Sequence, residues 1–370
     1  AVGQTQQFTA AGFDQYGNPY AMSPGWSVSG GGSINSNGLF SAASAGGPFT
    51  VLASDDGVSG SAEVNVLPDS GWATLPSSNH PRHESSLVAF GTKLILMGGR
   101  GARPVEIFDL ETNQWSTRSS PPLELHHFQA TVVDGLVYII GAYTGSWPFE
   151  DAVDHVYTYD PILDQWSVGP LIPAERRRGS AAAVVHQNQI YVAGGIVGGH
   201  GEHAEAKRWL DKFDPATGSW TVLPDMPTAR DHFGAAIVAG KIYAVAGRDS
   251  GASDGVDVTV SQTDVYDINA SSWGTLPSSS NIPTARSGVG VTSSGDLVIV
   301  IGGEGQGQAW DSVEALDTTS GNWQTLPAIP TARHGMGAAT INGSVYVAAG
   351  SQSQGGGPET GALEALFIGD

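Results

Sequence analysis

The chain has 370 residues, of which 51 are glycine, 21 are proline, none is cysteine and only 14% are charged. Its length exceeds what one hydrophobic core usually serves, which predicts several domains or a repeat architecture, and without cysteines no disulfide framework can form. A formal net charge of −20 excludes nucleic acid and anionic membrane surfaces as partners, because both are bound through clustered basic residues.

Short apolar runs rich in β-branched residues recur along the chain and end at glycine, as in LVYII, KIYAVAG and DLVIVIGG. No helical spacing of apolar residues persists beyond a turn or two. Such runs, bounded by turn residues, are typical of strands, so the sequence predicts an all-β protein. None of the runs reaches the length of a membrane-spanning helix, and we therefore expect no membrane insertion.

Residues 1–67 form a first predicted domain, with the alternating segments QFTAAGFD, WSVSGGGSINSNGLFSA and FTVLASDDGVSGSAEVNV. The pattern predicts a small β-sandwich. The stretches FTAAGFDQYGNP and WSVSGGGSINSNGLFSA resemble bacterial Ig-like modules. The resemblance implies a passive spacing role, a first strand that is absent here and an extracellular or cell-surface bacterial setting. The chain opens at AVGQTQQF without a signal segment, so we expect that processing removed something upstream.

Residues 71–370 repeat. The segments PRHESSLVAF, ELHHFQATVV, RRRGSAAAVV, TARDHFGAAI, TARSGVGVTS and TARHGMGAAT align without gaps up to a glycine stop. Each unit then continues through a loop of variable length and a further strand to a tryptophan, and these tryptophans are Trp115, Trp166, Trp220, Trp273 and Trp323. The spacing between these tryptophans is typical of a four-stranded propeller blade.

The paired glycines, the YDP-like turns at Tyr159 and Phe213, the tryptophan and the arginine before the first strand resemble Kelch repeats. The resemblance implies a six-bladed Kelch β-propeller over residues 71–370. The segment GWATLP at 71–76 has no repeat before it, and LEALFIGD at 363–370 has no fourth strand after it. We therefore expect the two ends to complete one blade, with an N-terminal strand closing the ring and Trp72 as the sixth tryptophan.

One face of such a propeller would carry the inter-blade segments and the long loops, and eight of the ten histidines map to it. Five aligned arginines occupy one position of the repeat: Arg82, Arg178, Arg230, Arg286 and Arg333. Leu125 fills that position in the second unit. Two interpretations remain open. The arginines either bond to neighbouring loop carbonyls, or they form a ring of cations that binds a carboxylate or sulfate group.

The long loops also contain candidate metal ligands. His200, Glu202 and His203 stand in GHGEHAE, and Asp154 and His155 follow in a neighbouring repeat. Imidazole and carboxylate ligands suit a transition metal. A second loop carries Asp249, Asp254 and Asp257, which are candidate Ca²⁺ ligands without EF-hand spacing. Ordinary solvated loop residues are the alternative for both groups.

Our first functional hypothesis is a secreted module that binds a saccharide. Trp147 and Trp310 would stack on the sugar ring, because aromatic side chains offer rigid apolar area, and polar groups of the same face would select the ligand. The predicted ligand-binding residues are therefore the five arginines together with His83, His334, Trp147, Trp310 and Glu304.

The second hypothesis is an enzyme on the same face, either metal-dependent or a lyase or epimerase acting on acidic sugars. His126, His127 and His232 are the candidate general bases. Similar Kelch propellers include sialic acid mutarotases, which the sequence GGE at 302–304 matches loosely. Copper radical oxidases of the galactose oxidase type are excluded, since their cofactor requires a cysteine and this chain has none. A protein-binding propeller is the third hypothesis.

Overall fold

The computed structural model describes residues 2–66, 68, 70–251 and 258–368. Within these ranges the regular structure consists of β-strands and two short 3-10 turns, Ala174–Arg176 and Ser278–Ser280. No helix of the described residues is long and apolar enough to cross a membrane. The chain divides into two compact units, one formed by Ala1–Ala73 with Leu366–Asp370 and the other by Thr74–Ala365.

The first unit contains eight strands, and their order follows the glycine- and asparagine-rich turns. These strands are β1 (Thr5–Gln7), β2 (Gly12–Phe13), β3 (Pro19–Tyr20), β4 (Gly25–Val28), β5 (Gly32–Ile34), β6 (Leu39–Ala42), β7 (Gly46–Asp55) and β8 (Val58–Val66). They form two three-stranded sheets, of order β1-β6-β5 and β4-β7-β8, and the hairpin β2-β3. Phe40, Val51 and Val66 are buried in this unit, with the ring of Phe8 edge-on to Phe40 at 6.5 Å.

The remaining strands build a series of four-stranded antiparallel sheets, which we number I to VI in chain order. Sheet I comprises β10 (Ser85–Phe90), β11 (Lys93–Gly98), β12 (Glu106–Asp109) and β13 (Gln114–Thr117). Sheet II comprises β14 (Thr131–Val133), β15 (Leu136–Ile139), β18 (His155–Asp160) and β19 (Gln165–Leu171). Sheet III comprises β20 (Ala182–His186), β21 (Gln189–Ala193), β24 (Leu210–Asp214) and β25 (Ser219–Leu223).

The second half of the chain repeats the same order. Sheet IV comprises β26 (Gly234–Val238), β27 (Lys241–Val245), β28 (Asp264–Asp267) and β29 (Ser272–Thr275). Sheet V comprises β30 (Gly290–Ser294), β31 (Leu297–Ile301), β34 (Val313–Asp317) and β35 (Asn322–Leu326). Sheet VI comprises β36 (Gly337–Ile341), β37 (Ser344–Ala348), β38 (Leu363–Phe367) and β9 (Gly71–Leu75), which comes from the start of the repeat region.

Loops between the second and third strands carry three further two-strand ladders. These are β16 (Tyr143–Thr144) with β17 (Asp151–Ala152), β22 (Ile196–Val197) with β23 (Glu205–Ala206), and β32 (Glu304–Gly305) with β33 (Gln308–Ala309). Each ladder pairs the two arms of its loop.

The repeated tryptophan has the same packing in successive sheets. It stands on the fourth strand, directly opposite an aromatic residue of the third strand, as in the pair of Phe108 and Trp115. The ring centroids lie 4.8–5.2 Å apart in sheets I to IV. Trp273 Nε1 also donates to the carbonyl of Pro224, which precedes sheet IV in sequence. The tryptophan therefore joins the outer strands of its sheet to a neighbouring segment.

The first strands of the six sheets follow one another in a cycle. β10 contacts both β14 and β36, and β14, β20, β26, β30 and β36 contact one another in that order. Backbone hydrogen bonds run round the same circle, from His127 N to Glu84 O at 3.0 Å and from Ser180 N to His127 O at 2.8 Å. The bonds from Gly288 N to His232 O at 2.7 Å and from Gly335 N to Gly288 O at 2.8 Å continue it. The segments that precede the first strands therefore surround a common centre.

Candidate functional site

The five repeated arginines are buried in the interior of the sheets. Each is at most 2% exposed and pairs with a carboxylate on the third strand of its own sheet: Arg82 with Glu106 at 2.8 Å, Arg178 with Asp211 at 2.8 Å, Arg230 with Asp264 at 2.7 Å, Arg286 with Glu314 at 2.5 Å and Arg333 with Glu364 at 2.5 Å. Their other N–H groups donate to backbone carbonyls, as Arg230 does to Ala244, Ala246 and Gln262. These arginines therefore do not form a ring of cations that faces a ligand. Their geometry corresponds to the other interpretation, in which they bond to neighbouring backbone carbonyls.

The residue two positions after the arginine slot points to the centre instead. We call these six residues the central positions; they are Glu84, His127, Ser180, His232, Gly288 and Gly335, and all have φ between 49° and 62°. Glycine adopts this left-handed conformation without steric cost, whereas other residues adopt it at a cost in free energy. Glu84, His127 and His232 therefore occupy a backbone conformation that the same slot reserves for glycine in sheets V and VI.

A cavity of about 160 Å³ opens over the central positions, and we call it the central pocket. Its lining combines central positions with loop side chains, namely His83, Glu84, Arg100, His127, Trp147, His200, His232, Arg248, Ser250, Glu304, His334 and Gly355. The imidazoles of His127, His200 and His232 form a triangle with ring centroids 4.9–5.1 Å apart. The pocket is therefore rich in imidazole and carboxylate groups, and Trp147, which is 66% exposed, stands at its rim.

In each imidazole of the triangle, the Nδ1 atom makes a hydrogen bond that fixes the ring. His200 Nδ1 lies 3.0 Å from a Glu150 carboxylate oxygen, and His232 Nδ1 lies 2.5 Å from Asp231 Oδ1. His126 Nε2 donates to the carbonyl of Gly145 at 3.0 Å, so its Nδ1 accepts from His127 Nδ1 at 2.5 Å. With Nδ1 as the donor in all three rings, a neutral ring carries its lone pair on Nε2.

Four carboxylates around the pocket are ionised at neutral pH. Burial opposes the ionisation of Glu84, but the neighbouring side chains of His334, His232, His83 and Arg100 together outweigh it and hold its pKa at about 2. Burial likewise opposes the ionisation of Glu150, but the interactions with His200 and the hydrogen bond from Arg100 together outweigh it, so that the pKa is about 2. The pKa values of Asp231 and Glu304 are also lowered against burial, through His232 and through His334 with Arg248 respectively.

The imidazoles behave in the opposite way. Burial lowers the pKa of His127 well below its ordinary value, and the neighbouring His232 and His126 lower it further. Burial, followed by the charge of Arg248, also lowers the pKa of His232. Two guanidiniums, Arg100 and Arg248, and two carboxylates, Glu84 and Glu304, line the pocket, and the carboxylates of Glu150 and Asp231 lie behind the imidazoles. Counted together, these carboxylates outnumber the guanidiniums, which disfavours an acidic ligand.

The structure brings together only part of the predicted site. His83, His127, His200, His232, His334, Glu304 and Trp147 line the central pocket. His126 is fully buried and touches His127 rather than the pocket, so it positions a ring and reaches no ligand. Trp310 is half-buried and is not among the described residues that line the cavity.

The remaining predicted metal ligands lie elsewhere. Glu202 and His203 are 89% and 87% exposed, and His155 pairs with Asp154 at 2.7 Å at the start of β18. A joint site of these four residues with His200 is therefore not formed, because His200 turns inward to Glu150. Asp249 accepts a bond from the backbone of Gly251, and Asp254 and Asp257 lie outside the described residues.

Sequence reasoning did not assign Glu84, Arg100 or Arg248 to the site. Arg248 connects the pocket, because its guanidinium donates to Glu304 at 2.7 Å and to His232 Nε2 at 3.1 Å. A signal for Glu84 was present in the repeat: it holds the same slot as His127 and His232, two residues after the aligned arginine position. The loop residues have no such slot, since their loops differ in length between repeats.

Comparisons with known proteins agree with this architecture. The family model of the Attractin/LZTR1 β-propeller matches residues 65–314. Kelch-like protein terF of Aspergillus terreus is 28% identical over 320 residues, which cover 79% of this chain and 65% of that protein. Kelch-like protein 25 of Xenopus tropicalis is 24% identical over 270 residues, covering 70% of this chain and 42% of its own length. The chain thus spans less than two thirds of these relatives.

A solved structure, that of YjhT, superimposes with a TM-score of 0.69 at 15% sequence identity. The superposition covers 80% of this chain and 97% of YjhT. At this identity the similarity concerns the fold alone. Together with the family match it confirms the prediction of an all-β, Kelch-like propeller fold.

Proposed function

The chain belongs to the Attractin/LZTR1 β-propeller family. We propose that this propeller binds a small, hydroxyl-rich ligand, a saccharide unit, in its central pocket. We also propose how the sheets and the first unit correspond to known folds. Sheets I to VI would be the blades of one six-bladed Kelch propeller closed by the N-terminal strand β9, following an Ig-like module over residues 1–67. The cyclic contacts of the first strands and the contribution of β9 to sheet VI support this arrangement.

The observation that carries the ligand proposal is the exposed indole of Trp147 beside a polar cavity. Trp147 is 66% exposed and lines the pocket together with the carboxylates of Glu84 and Glu304. An aromatic face supports a sugar ring by apolar contact, while carboxylates and imidazoles bond to hydroxyl groups. At about 160 Å³ the cavity is smaller than the pockets of about 300–1,000 Å³ that enclose drug-sized ligands, so it would take one terminal unit.

The charge of the pocket limits the class of saccharide. The excess of carboxylates over guanidiniums would repel a uronic or sialic acid, so we propose a neutral or amino sugar rather than an acidic one. We also retain, as part of the proposal, the extracellular or cell-surface bacterial setting expected from the sequence.

The test is a glycan-binding screen that contains neutral, amino and acidic sugars, followed by calorimetry on the strongest hits. Trp147→Ala should weaken binding about 3- to 10-fold, the usual effect of one aromatic contact. The matched control is Phe149→Ala, because Phe149 is 82% exposed in the same loop but is not among the residues that line the pocket. Binding that prefers acidic sugars, or that falls equally in both variants, would contradict the proposal.

Acid–base catalysis in the same pocket is a second candidate, favoured by the pair of His127 and Glu84. His127 Nε2 lies 3.4 Å from Glu84 Oε2, so an imidazole and a carboxylate, both residue types that transfer protons in enzymes, stand side by side. A sugar that binds should then be incubated in deuterium oxide and followed by NMR. Deuterium incorporation that is lost in Glu84→Gln would support catalysis, whereas unchanged spectra would leave the pocket a binding site.

A further inference from the structure

Three histidines from different segments of the chain present ring nitrogens to one point of the central pocket. One nitrogen from each of His127, His200 and His232 lies within 4.8 Å of the other two. His127 and His232 occupy central positions of sheets II and IV, and His200 reaches the same point from the loop of sheet III. A metal ion can be held by three or more histidine or acidic side chains that converge on one point. Among the described residues, these three histidines form such a group.

The hydrogen bonds behind the rings are those of metal-binding histidines. A histidine ligand usually donates its second N–H to a carboxylate, a backbone carbonyl or another acceptor, which fixes the ring and its tautomer. Glu150 accepts from His200, Asp231 accepts from His232, and His126 accepts from His127. The Nε2 atoms are therefore left for the pocket side, where that of His232 accepts a hydrogen bond from Arg248.

Two spacings on that side correspond to ligand atoms around one ion. His200 Nε2 lies 3.1 Å from His232 Nε2, and His127 Nε2 lies 3.4 Å from Glu84 Oε2. Around a tetrahedral zinc ion with bonds of about 2.0–2.1 Å, neighbouring ligand atoms are separated by about 3.3 Å. At 3.1 Å, two imidazole nitrogens are held together by a proton on one of them or by a cation between them.

Backbone strain points in the same direction. Glu84, His127 and His232 have φ values of 55°, 55° and 49°, and such strain collects at functional sites.

We infer that His127, His200 and His232 bind a divalent first-row transition metal ion such as Zn²⁺, with the Glu84 carboxylate as fourth ligand. A set of three imidazoles and one carboxylate suits Zn²⁺, Co²⁺, Ni²⁺, Cu²⁺ or Fe²⁺ better than Ca²⁺ or Mg²⁺, which prefer oxygen ligands. Binding displaces the bond from Arg248 Nη2 to His232 Nε2. Arg248 keeps its bonds to Glu304 and Ser250, which hold the guanidinium at the edge of the site.

The experiment uses the full chain, expressed without a histidine tag and stripped with a chelator. Zn²⁺ is titrated by calorimetry, and Co²⁺ is titrated while the visible absorption is recorded, because tetrahedral Co²⁺ absorbs more strongly than the hydrated ion. We expect one equivalent of each metal, an intense tetrahedral Co²⁺ spectrum and a higher Tm with Zn²⁺. His200→Ala should weaken binding at least about 100-fold, and Glu150→Ala about 10- to 100-fold through loss of the bond that orients His200.

His155→Ala and His203→Ala are the matched controls, since both histidines lie on loops or strand ends away from the triangle. These variants should bind both metals as the unmodified chain does. Absence of stoichiometric Co²⁺ binding by the unmodified chain would overturn the inference, as would a loss of binding in His203→Ala equal to that in His200→Ala. If His200→Ala does not fold, His232→Gln serves as the second variant.

The inference goes beyond the proposed saccharide function and stands independently of it. Metal binding is measured with the ion alone, whereas saccharide binding is measured on chelator-treated and on Zn²⁺-loaded protein. A metal-binding chain without saccharide affinity would contradict only the proposed function. Saccharide binding by a chain that takes up no metal would contradict only the inference.

Discussion

Arg230 and Asp264 form an ion pair of 2.7 Å in which both side chains are fully buried. The arginine lies just before sheet IV and the aspartate begins its third strand, so the pair ties the inter-sheet segment to the sheet. Four other arginines make the corresponding pair in their own sheets. The repeated arginine is therefore a structural residue of the repeat unit.

This pair predicts a strong effect of Arg230→Met on stability. Removing one partner of a buried pair leaves an uncompensated charge, which costs about 3–5 kcal/mol. The second change Asp264→Asn removes that charge and keeps an acceptor for Thr228, so the double variant should recover part of the loss. Chemical denaturation measures both. A loss below about 1 kcal/mol in Arg230→Met would show that the pair is not structural.

The repeated tryptophan predicts a second stability effect. The Trp273 ring packs 5.2 Å from that of Tyr266, and its Nε1 donates to the carbonyl of Pro224 at 2.8 Å. Trp273→Ala removes both contacts and should destabilise the protein by about 3 kcal/mol, near the lower end for large aromatic residues because the ring is only half-buried. Trp273→Phe, which keeps the ring contact and loses the hydrogen bond, should cost about 1 kcal/mol. Equal losses in the two variants would assign the effect to the hydrogen bond alone.

Two turn carboxylates predict a dependence of stability on acid pH. Hydrogen bonds from Ser320 and from the backbone of Thr319 and Ser320 lower the pKa of Asp317, and bonds from Gln189 and Thr217 lower that of Asp214. A carboxyl group that is more acidic when folded stabilises the protein above its unfolded pKa of 3.8. That contribution is lost as the pH falls through the folded pKa.

The double variant Asp214→Asn, Asp317→Asn keeps one acceptor oxygen at each position and removes the titrating charges. Its Tm should fall less steeply between about pH 4 and pH 2 than that of the unmodified chain. Glu202→Gln is the control, because that side chain is 89% exposed. If the double variant and the control follow the same acid limb, the turn carboxylates do not contribute to it.

The position of β9 in sheet VI predicts the effect of shortening the chain. A chain of residues 70–370 retains Gly71–Leu75 beside β38, whereas a chain of residues 78–370 exposes β38 as an edge strand. Exposed edges promote association. The shorter chain should therefore aggregate or melt at a lower temperature in size-exclusion and thermal-unfolding measurements. If the 78–370 chain is monomeric and its Tm is unchanged, β9 does not stabilise sheet VI, and the prediction is wrong.

Much of the repeat architecture could be predicted because each sheet is encoded locally. Apolar alternation, the glycine stop and the opposed aromatic residue and tryptophan recur within each unit, so the strands and their order follow from the sequence. The repeated arginine position could also be recognised from the sequence. The burial of these arginines could not be predicted, because the carboxylate that pairs with Arg230 lies 34 residues further along the chain, beyond a loop.

The sequence by itself determined the all-β repeat, the order of the strands within each unit and the concentration of histidines on one set of loops. Only the tertiary structure decided which histidines meet. His203 and His155 stay at the surface, while His200, His127 and His232 converge. The physical reason is that the pocket is assembled around the centre of a ring, where residues far apart in sequence become neighbours. Their distances depend on the cyclic packing of the first strands and on loops whose lengths follow no common pattern.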